Sequence, residues 1–332
     1  MAAINDHIAR SGANLWTDLR YDDWKDTCAT LQLWTQIVGK VRLKLAPMVN
    51  HWWQVTLYVT ASGLTTSAMP YQGRYVQIDF DFLAHRLLLR TSDARTEQFA
   101  LQPCSVADFY AEVMNRLRAL GIDISIWTMP SEIEGAVPFE RDRAHAAYDR
   151  DAAQRFWRQL VQADRVMNAF RGRFLGKCSP VHFFWGSFDL AVTRFSGRTA
   201  PPLTSHSPNL GDWVMQEAYS HEVSSCGFWP GNGGLGEAAF YAYAYPEPAG
   251  FGEAPVAPPG AYNKDVGQFI LPYEAVRTAD APDDVLMQFL QSTYEACADN
   301  AKWDRHALER RSRVKPGHDV VRARAHRQAG RR

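Results

Sequence analysis

The sequence of 332 residues has little cysteine, no long apolar run and no excess of charge of either sign. Its five cysteines are far apart and include no Cys-x-x-Cys pair, a pattern that is typical of reduced thiols and excludes a disulfide scaffold. No stretch approaches the roughly 20 apolar residues of a membrane-spanning helix, so we expect no membrane partner. The first residues carry charges where a secretory signal needs an apolar segment, and the sequence therefore predicts a cytoplasmic protein.

The balance of 36 basic and 36 acidic residues conceals a basic C-terminal end. From Arg305 onward the chain has ten Lys or Arg and two acidic residues, with no Trp, Tyr or Phe among them. Such a segment buries too little apolar surface to fold by itself, so we predict that residues 306–332 form a disordered tail. We interpret the tail as a solvated terminus; the alternative is a nucleic-acid-binding arm, and no other part of the chain is a candidate for such contact.

Apolar residues recur every three or four positions in four segments, which predicts helices at 22–38, 106–120, 152–174 and 282–300. Alternating apolar and polar residues predict a series of strands. The strands are predicted at 41–45, 53–60, 76–82, 87–89, 99–101, 122–126, 181–195, 219–228, 239–245 and 268–272. Because helices and strands segregate along the chain, we predict an α+β fold in which about four helices cover antiparallel β-sheets.

The organisation of the chain suggests one unit at 15–305, preceded by a frayed N-terminus at 1–14. Within it we predict two similarly sized lobes, at about 15–128 and 150–305. A charged, proline-bearing segment without periodicity, 128–149, separates them and is the best candidate for a linker. Both lobes end in a strand meander followed by a capped helix, a similarity that an internal duplication would explain.

One segment matches the glycine pattern of dinucleotide-binding proteins, Gly231-Asn-Gly-Gly-Leu-Gly236. That fingerprint requires a helix directly after the glycines, so that the helix N-terminus meets the pyrophosphate. Here the next residues are aromatic and alternate as in a strand. We therefore predict a loop between two strands at 229–238, and no nucleotide binding.

Three polar side chains are embedded in the most aromatic segment of the chain: His182, Asp189 and Arg194. Buried charges are costly unless they are paired, so these groups should have partners or face a cavity. The segment admits two structures. A turn at 186–187 would make it a hairpin in which Phe184 faces Asp189, whereas a continuous strand would place His182 and Asp189 on opposite faces. We favour the continuous strand.

The next predicted strand carries His221 and Glu222 on opposite faces. Sequential strands usually pair, so we expect a histidine of this group to reach a carboxylate. Three interpretations stay open: a nucleophilic site with a Ser or Cys, a metal held by histidine and carboxylate ligands, and a hydrogen-bonded polar network. The metal would be held by members of one set of residues: His182, Asp189, His221 and Glu222. No ligand spacing within one element supports a metal, and no cofactor is identified.

Aromatic residues supply the walls of this candidate site, including a row at Tyr241, Tyr243 and Tyr245 and the pair Trp52 and Trp53. We expect a small-molecule-binding protein or enzyme with a polar cleft, whose candidate catalytic residues are His182, Asp189, Arg194, His221 and Glu222. The alternative is a non-catalytic interaction or structural protein that presents an aromatic sheet surface to a partner. Convergence of those five side chains into a concave pocket would favour the first hypothesis, and separate hydrogen-bonded pairs would favour the second.

Three segments of the chain resemble a bacterial protein family that is catalogued as a domain of unknown function. The resemblance extends over about residues 15–305 and excludes the basic tail. It implies a bacterial cytosolic protein, and it implies no activity and no catalytic residue. The segments are LRYDDWKDTCATLQLWTQIVGK, FRGRFLGKCSPVHFFWGSFDLAVTRFSGR and AYSHEVSSCGFWPG.

Overall fold

The computed structural model describes residues 15–204 and 207–310. In this part of the chain, two antiparallel sheets of six strands each pack with four long helices, which confirms the predicted α+β class. The predicted frayed N-terminus (1–14) and the basic tail from residue 311 lie outside the described residues. The first residues of that predicted tail are described and contact the body of the protein, since Arg310 N donates to Arg173 O at 2.8 Å.

The four long helices are those that the helical periodicity predicts. In chain order the helices are α1 (Lys25–Leu45), α2 (Val106–Ala119), α3 (Arg150–Arg171), α4 (Asp212–Ala218), α5 (Tyr273–Arg277), α6 (Pro282–Asn300) and α7 (Arg305–Leu308). Short 3-10 turns lie at Tyr21–Asp23, Asn50–Val55 and Phe139–Arg141. Ser105 caps α2, because its Oγ accepts from Asp108 N at 3.1 Å. The residue before α6 is Ala281, whose side chain provides no cap.

Each sheet is formed by strands that are neighbours in the sequence. Sheet one contains β1 (Tyr58–Val59), β2 (Gly63–Thr65), β3 (Met69–Tyr71), β4 (Arg74–Asp81), β5 (Arg86–Thr91) and β6 (Thr96–Ala100). Its order is β1-β2-β4-β5-β6, and β3 also pairs with β4. Sheet two contains β7 (His182–Phe184), β8 (Asp189–Thr199), β9 (His221–Trp229), β10 (Ala239–Tyr245), β11 (Ala261–Asn263) and β12 (Gln268–Pro272). Its order is β11-β12-β10-β9-β8-β7.

The two sheets meet at their edges. Leu57, just before β1, exchanges backbone hydrogen bonds with Phe183 of β7 at 2.9 and 2.7 Å. The apolar face of sheet one packs against α1 and α2, where Trp34 stacks on Phe109 with ring centroids 4.5 Å apart. One face of sheet two packs against α3, α5 and α6. The other face of sheet two is turned towards α1 and forms the floor of a cavity.

Three predicted strands are wrong. Residues 41–45 continue helix α1, because Gly39 does not end the helix; it makes room for the indole of Trp185, which a Cβ at this position would strike. In 53–60, residues 53–55 belong to a 3-10 turn and only Tyr58–Val59 form a strand, so most of this predicted strand is wrong. Residues 122–126 form no strand, although Ile122 is buried and the next two isoleucines pack on the core. In each segment, packing against distant residues overrides the local alternation.

The aromatic segment 181–195 is a hairpin and not the continuous strand that we favoured. Residues 185–188 form the turn, and Phe184 of β7 pairs with Asp189 of β8. Phe188 adopts a φ of 63°, which permits the reversal, and its N–H donates to Phe184 O at 2.9 Å. The hairpin places His182, Phe184 and Asp189 on the same face of sheet two.

Candidate functional site

A cavity of about 360 Å³ lies between sheet two and α1. Its floor is the face of β8, β9 and β10 that the helices α3, α5 and α6 leave uncovered. Its walls come from the 3-10 turn at Asn50–Val55, the C-terminal half of α1 and residues 127–132. Residues between 209 and 219, including those of α4, cover the cavity. Together with the two residues before them, they form what we call the cover segment (207–219). Strand alternation therefore brings every second residue of three strands into one concave surface.

Hydrogen-bonded polar groups form the floor. Asp189 is buried and accepts hydrogen bonds from Ser187 Oγ at 2.5 Å and from the hydroxyl of Tyr241. The ring of Tyr241 reaches Asp189 because it lies across Gly227, where a Cβ would strike it. Burial raises the pKa of Asp189, and these two hydrogen bonds act in the opposite direction.

A second network crosses the same floor. Tyr219 of the cover segment and Tyr243 of β10 share a hydrogen bond between their hydroxyls at 2.6 Å. Thr193 and Ser225, on the paired strands β8 and β9, are joined through their hydroxyls at 2.9 Å. The floor thus presents hydroxyls whose mutual bonds fix their positions, and burial raises the pKa of Tyr219 and Tyr243.

Glu132 places a carboxylate in the cavity. Glu132 lines the cavity, and although many protein atoms lie near its carboxylate, the residue is exposed to solvent. Among the described residues, no hydrogen-bond donor reaches this carboxylate, whereas Asp189 has two. Burial, together with the nearby charge of Asp189, raises the pKa of Glu132 to about 7. The charge of Asp189 therefore acts on the carboxyl group of Glu132.

The backbone that carries Glu132 is held in an unusual conformation. Its φ is 62°, in the left-handed region that side-chain-bearing residues rarely adopt, and its N–H donates to Pro208 O at 2.7 Å. The carboxylate lies against Gly186, where a Cβ would collide with Oε1. The preceding residue, Ser131, is fixed to α1 by two hydrogen bonds with Gln36, at 2.8 and 2.9 Å.

Lys40 is the basic side chain at the α1 side of the cavity. It is buried, and its Nζ donates to Ser131 Oγ at 3.1 Å. Nζ also lies over the rings of Trp127 and Trp185, at 4.6 and 5.7 Å from their centroids. Among the described residues no carboxylate forms an ion pair with Lys40, and burial lowers its pKa to about 8.

Aromatic rings form most of the walls. They comprise five indoles and two phenyl rings: Trp52, Trp53, Trp127, Trp185, Trp213, Phe184 and Phe195. Four non-glycine residues of the lining have positive φ, and they are His51, Trp52, Glu132 and Asn209. Strained backbone of this kind is concentrated at functional sites, because tight packing must hold it in place.

His51 is neutral in this arrangement. Its Nδ1 donates to Ala218 O at 2.9 Å, so its Nε2 is the acceptor that receives Lys177 Nζ at 2.6 Å. Burial is the main cause that lowers the pKa of His51, and the positive charge of Lys177 adds to it. His51 thereby ties the 3-10 turn to the cover segment without adding a charge to the cavity.

Of the five predicted site residues, Asp189 alone lines the cavity. His182 lies on the same face but beneath the wall, where its Nδ1 contacts Thr56 Oγ1 at 3.2 Å and its ring meets Phe184. Burial lowers the pKa of His182 to about 3, so it is neutral at physiological pH.

Arg194 and Glu222 point to the opposite side of sheet two. The guanidinium of Arg194 packs on Phe170 and donates to the Phe170 carbonyl at 2.5 Å, so it is stabilised in the helix-packed core. Glu222 forms an ion pair with Arg198 at 2.6 Å.

His221 lies at the edge of the sheet, and its Nδ1 contacts Ser220 Oγ at 3.1 Å. Strands β8 and β9 do pair as expected, but neither His182 nor His221 contacts a carboxylate among the described residues. The expected histidine–carboxylate contact is therefore wrong.

The structure also bears on the glycine-rich segment and on the metal hypothesis. Residues 231–236 form a loop, and strand β10 follows it as predicted. The described part of the chain contains no group of three or more His, Cys, Asp or Glu side chains arranged to hold a metal.

Fold and cavity together define an α+β protein with an aromatic-walled cavity over the polar face of an antiparallel sheet. The chain belongs to the family of unknown function DUF5996, whose model matches residues 16–310. This match confirms the predicted resemblance to a family without a known activity. No curated protein and no solved structure matches the chain. In the described ranges, no helix has the length and apolar character required to cross a membrane.

The sequence did not mark the two most informative cavity residues. Glu132 falls in the aperiodic segment that we interpreted as a linker, and Lys40 precedes a segment that we interpreted as a strand. The signals available were two glycines: Gly186 accommodates Glu132, and Gly39, next to Lys40 in the sequence, accommodates Trp185. A glycine does not reveal which distant side chain occupies its space.

Proposed function

We propose that this protein binds a small organic molecule in the cavity over sheet two. The observation that carries the proposal is the Glu132 carboxylate, which faces the cavity without a hydrogen-bond partner among the described residues. A concave aromatic surface with a few fixed polar groups is typical of ligand sites, and Glu132 is exposed at this surface. A bound ligand would supply the missing partner.

An enzymatic role is the second candidate, and the two carboxyl groups that line one cavity favour it. A pKa of about 7 at Glu132 would let it both release and accept a proton near neutral pH. Shifted carboxyl groups that share a cavity are typical of acid–base sites. The alternative of a non-catalytic interaction protein is less well supported, because the aromatic rings line a concave surface.

We further propose a cytoplasmic location in a bacterium. All five cysteines are free, which agrees with a reducing compartment. The bacterial origin rests on the resemblance of the three quoted segments.

A thermal-shift screen against metabolites, nucleotides and metal ions tests the binding proposal. A ligand at about one hundred times its Kd stabilises the native state by about 2.7 kcal/mol. We expect Val214→Trp, which fills the cavity from α4, to abolish the shift, because Val214 lines the cavity. Gln216→Trp on the exposed side of the same helix is the matched control and should retain it. The absence of any ligand, or a ligand that binds the Val214→Trp variant equally well, would contradict the proposal.

A further inference from the structure

We propose that the ligand is an organic cation, a protonated amine on a flat aromatic or cyclic body, whose ammonium group binds the Glu132 carboxylate. This inference rests on the proposed binding function and specifies the chemistry of its ligand. It follows from the construction of the Glu132 site, the charges that face the cavity and the rings that surround it.

The carboxylate of Glu132 is held in place by contacts that do not neutralise it. A left-handed backbone and the Pro208 carbonyl direct the residue inward, and Gly186 leaves space for its oxygens. Fixing a residue in such a backbone conformation is unfavourable, and so is surrounding a carboxylate with protein atoms. Both costs are incurred at one residue, and a cation bound at Glu132 would offset the second.

The charges that face the cavity favour a positive ligand. Two carboxyl groups, Glu132 and Asp189, lie close enough for one to raise the pKa of the other. Lys40 is engaged with Ser131 and lies over two indoles, and His51 is neutral. A cation would relieve the repulsion between the two carboxylates, whereas an anion would increase it.

The walls suit the same ligand. Indole and phenol rings attract cations to their faces, and this attraction is strongest where water is excluded. Lys40 already uses Trp127 and Trp185 in this way. Trp52 and Trp213 also line the cavity and pack edge to face, with ring centroids 5.0 Å apart. A volume of about 360 Å³ accommodates a single ring with a short amine-bearing chain.

Calorimetric titration with three molecules tests the inference: 2-phenylethylamine, 2-phenylethanol and 3-phenylpropionate. All three carry a phenyl ring on a two-carbon chain and differ in the polar group at its end. The amine and the alcohol have the same size, so their comparison isolates the charge. We expect the amine to bind about tenfold or more tightly than the alcohol, since the hydroxyl can donate to the carboxylate but lacks the positive charge of the ammonium group. The propionate should bind most weakly.

Variants identify the anchor. Glu132→Gln keeps the size of the side chain and should reduce the preference for the amine to less than about threefold, without loss of the alcohol's affinity. Glu134→Gln, an exposed glutamate of the same segment, is the matched control and should keep the full preference. Gly186→Ala serves as a second test if Glu132→Gln folds poorly, because its Cβ would displace the carboxylate without removing its charge.

The outcomes separate the ligand class from the binding function. Equal affinities for amine and alcohol, or a preference that survives Glu132→Gln, would overturn the cationic ligand and leave cavity binding intact. Tighter binding of the propionate would also overturn it and would identify Lys40 as the anchor. If none of the three probes binds, the inference fails for this ligand class, while the thermal-shift screen decides separately whether the cavity binds a ligand.

Discussion

Each sheet is associated with a pair of acidic side chains, and the two pairs have opposite surroundings. On the open face of sheet one, Asp79 pairs with Arg90 at 2.6 Å and Asp81 with Arg86 at 3.4 Å. The arginines are about half exposed, so water and a counter-ion stabilise each carboxylate.

Over sheet two, no arginine or lysine pairs with Glu132 or Asp189 in the described part of the chain. The comparison shows that alternation along a strand predicts which face a carboxylate occupies, but not what covers that face. Helices α3, α5 and α6 pack directly on one face of sheet two. On the other face, α1 and the cover segment enclose the cavity. The same residue type is therefore a solvated partner of arginine in one sheet and a group without a counter-ion in the other.

The largest expected difference concerns stability. Asp189→Ala should lower the free energy of unfolding by about 1–3 kcal/mol, because the buried hydroxyl of Tyr241 loses its acceptor, and Ser187 loses a partner as well. Asp79→Ala should cost less than about 1 kcal/mol, since its partner is exposed. Urea unfolding at neutral pH measures both. A cost at Asp79 equal to that at Asp189 would break the comparison, and Asp189→Asn, which keeps an acceptor, should lie between wild type and Asp189→Ala.

The next effect is a dependence of the free energy of unfolding on pH, which we expect from Glu132 and Asp189 but not from Asp79 and Asp81. The folded-state pKa of Glu132 is about 7, above that of an unfolded glutamate, so the native state holds this proton more tightly. The stabilisation is present below the unfolded pKa of about 4.3 and is lost as the pH rises through the folded value of about 7.

Relative to Glu132→Gln, wild type should therefore lose about 1 kcal/mol between about pH 5 and about pH 8, a modest figure because water in the cavity screens the charge. Denaturant unfolding of both proteins at several pH values measures this loss. Glu134→Gln should run parallel to wild type; a matching loss in that variant would assign the effect to another group.

The smallest effect tests the buried lysine. Lys40→Met should raise the free energy of unfolding by about 0.5–1 kcal/mol near neutral pH, because it removes a buried cation that lacks a carboxylate partner. The folded-state pKa of Lys40 is about 8, below that of an unfolded lysine, so wild type gains stability from about pH 8 to about pH 10 and the advantage of the variant shrinks. Lys44→Met, on the exposed side of α1, should change little at either pH. Thermal unfolding across this pH range provides the measurement, and a destabilised Lys40→Met variant would show that Ser131 and the indoles outweigh the burial cost.

Local sequence patterns predicted the parts of the fold in which a residue's neighbours along the chain decide its state. The apolar stripes of α2 and α3 and the alternation in β4 and β10 are confirmed, because each pattern matches the period of its element. The predictions failed where two patterns overlapped. Residues 41–45 alternate like a strand, yet they complete α1, since Trp185 packs against Gly39 and Arg42 donates to Gln54 O at 2.7 Å.

The candidate site shows the same division. The sequence placed Asp189 among aromatic residues and placed Tyr241 and Tyr243 on one face, and all three line the cavity. It also grouped Arg194 and Glu222 with Asp189, although an odd separation along β8 and the register of β9 send them to the helix-packed face. Proximity in the sequence therefore does not determine on which face of the sheet a charged side chain lies.

The sequence by itself determined the α+β class, the four long helices, the loop at 231–236 and the aromatic character of sheet two, since each depends on the composition and period of one segment. Only the tertiary structure decided that Glu132 enters the cavity, because Pro208, Gly186 and Gln36 come from three separate parts of the chain and act on it or its neighbour Ser131 together. Its raised pKa has the same origin: burial and the charge of Asp189 are properties of the assembled fold, and neither is present in the segment that contains Glu132.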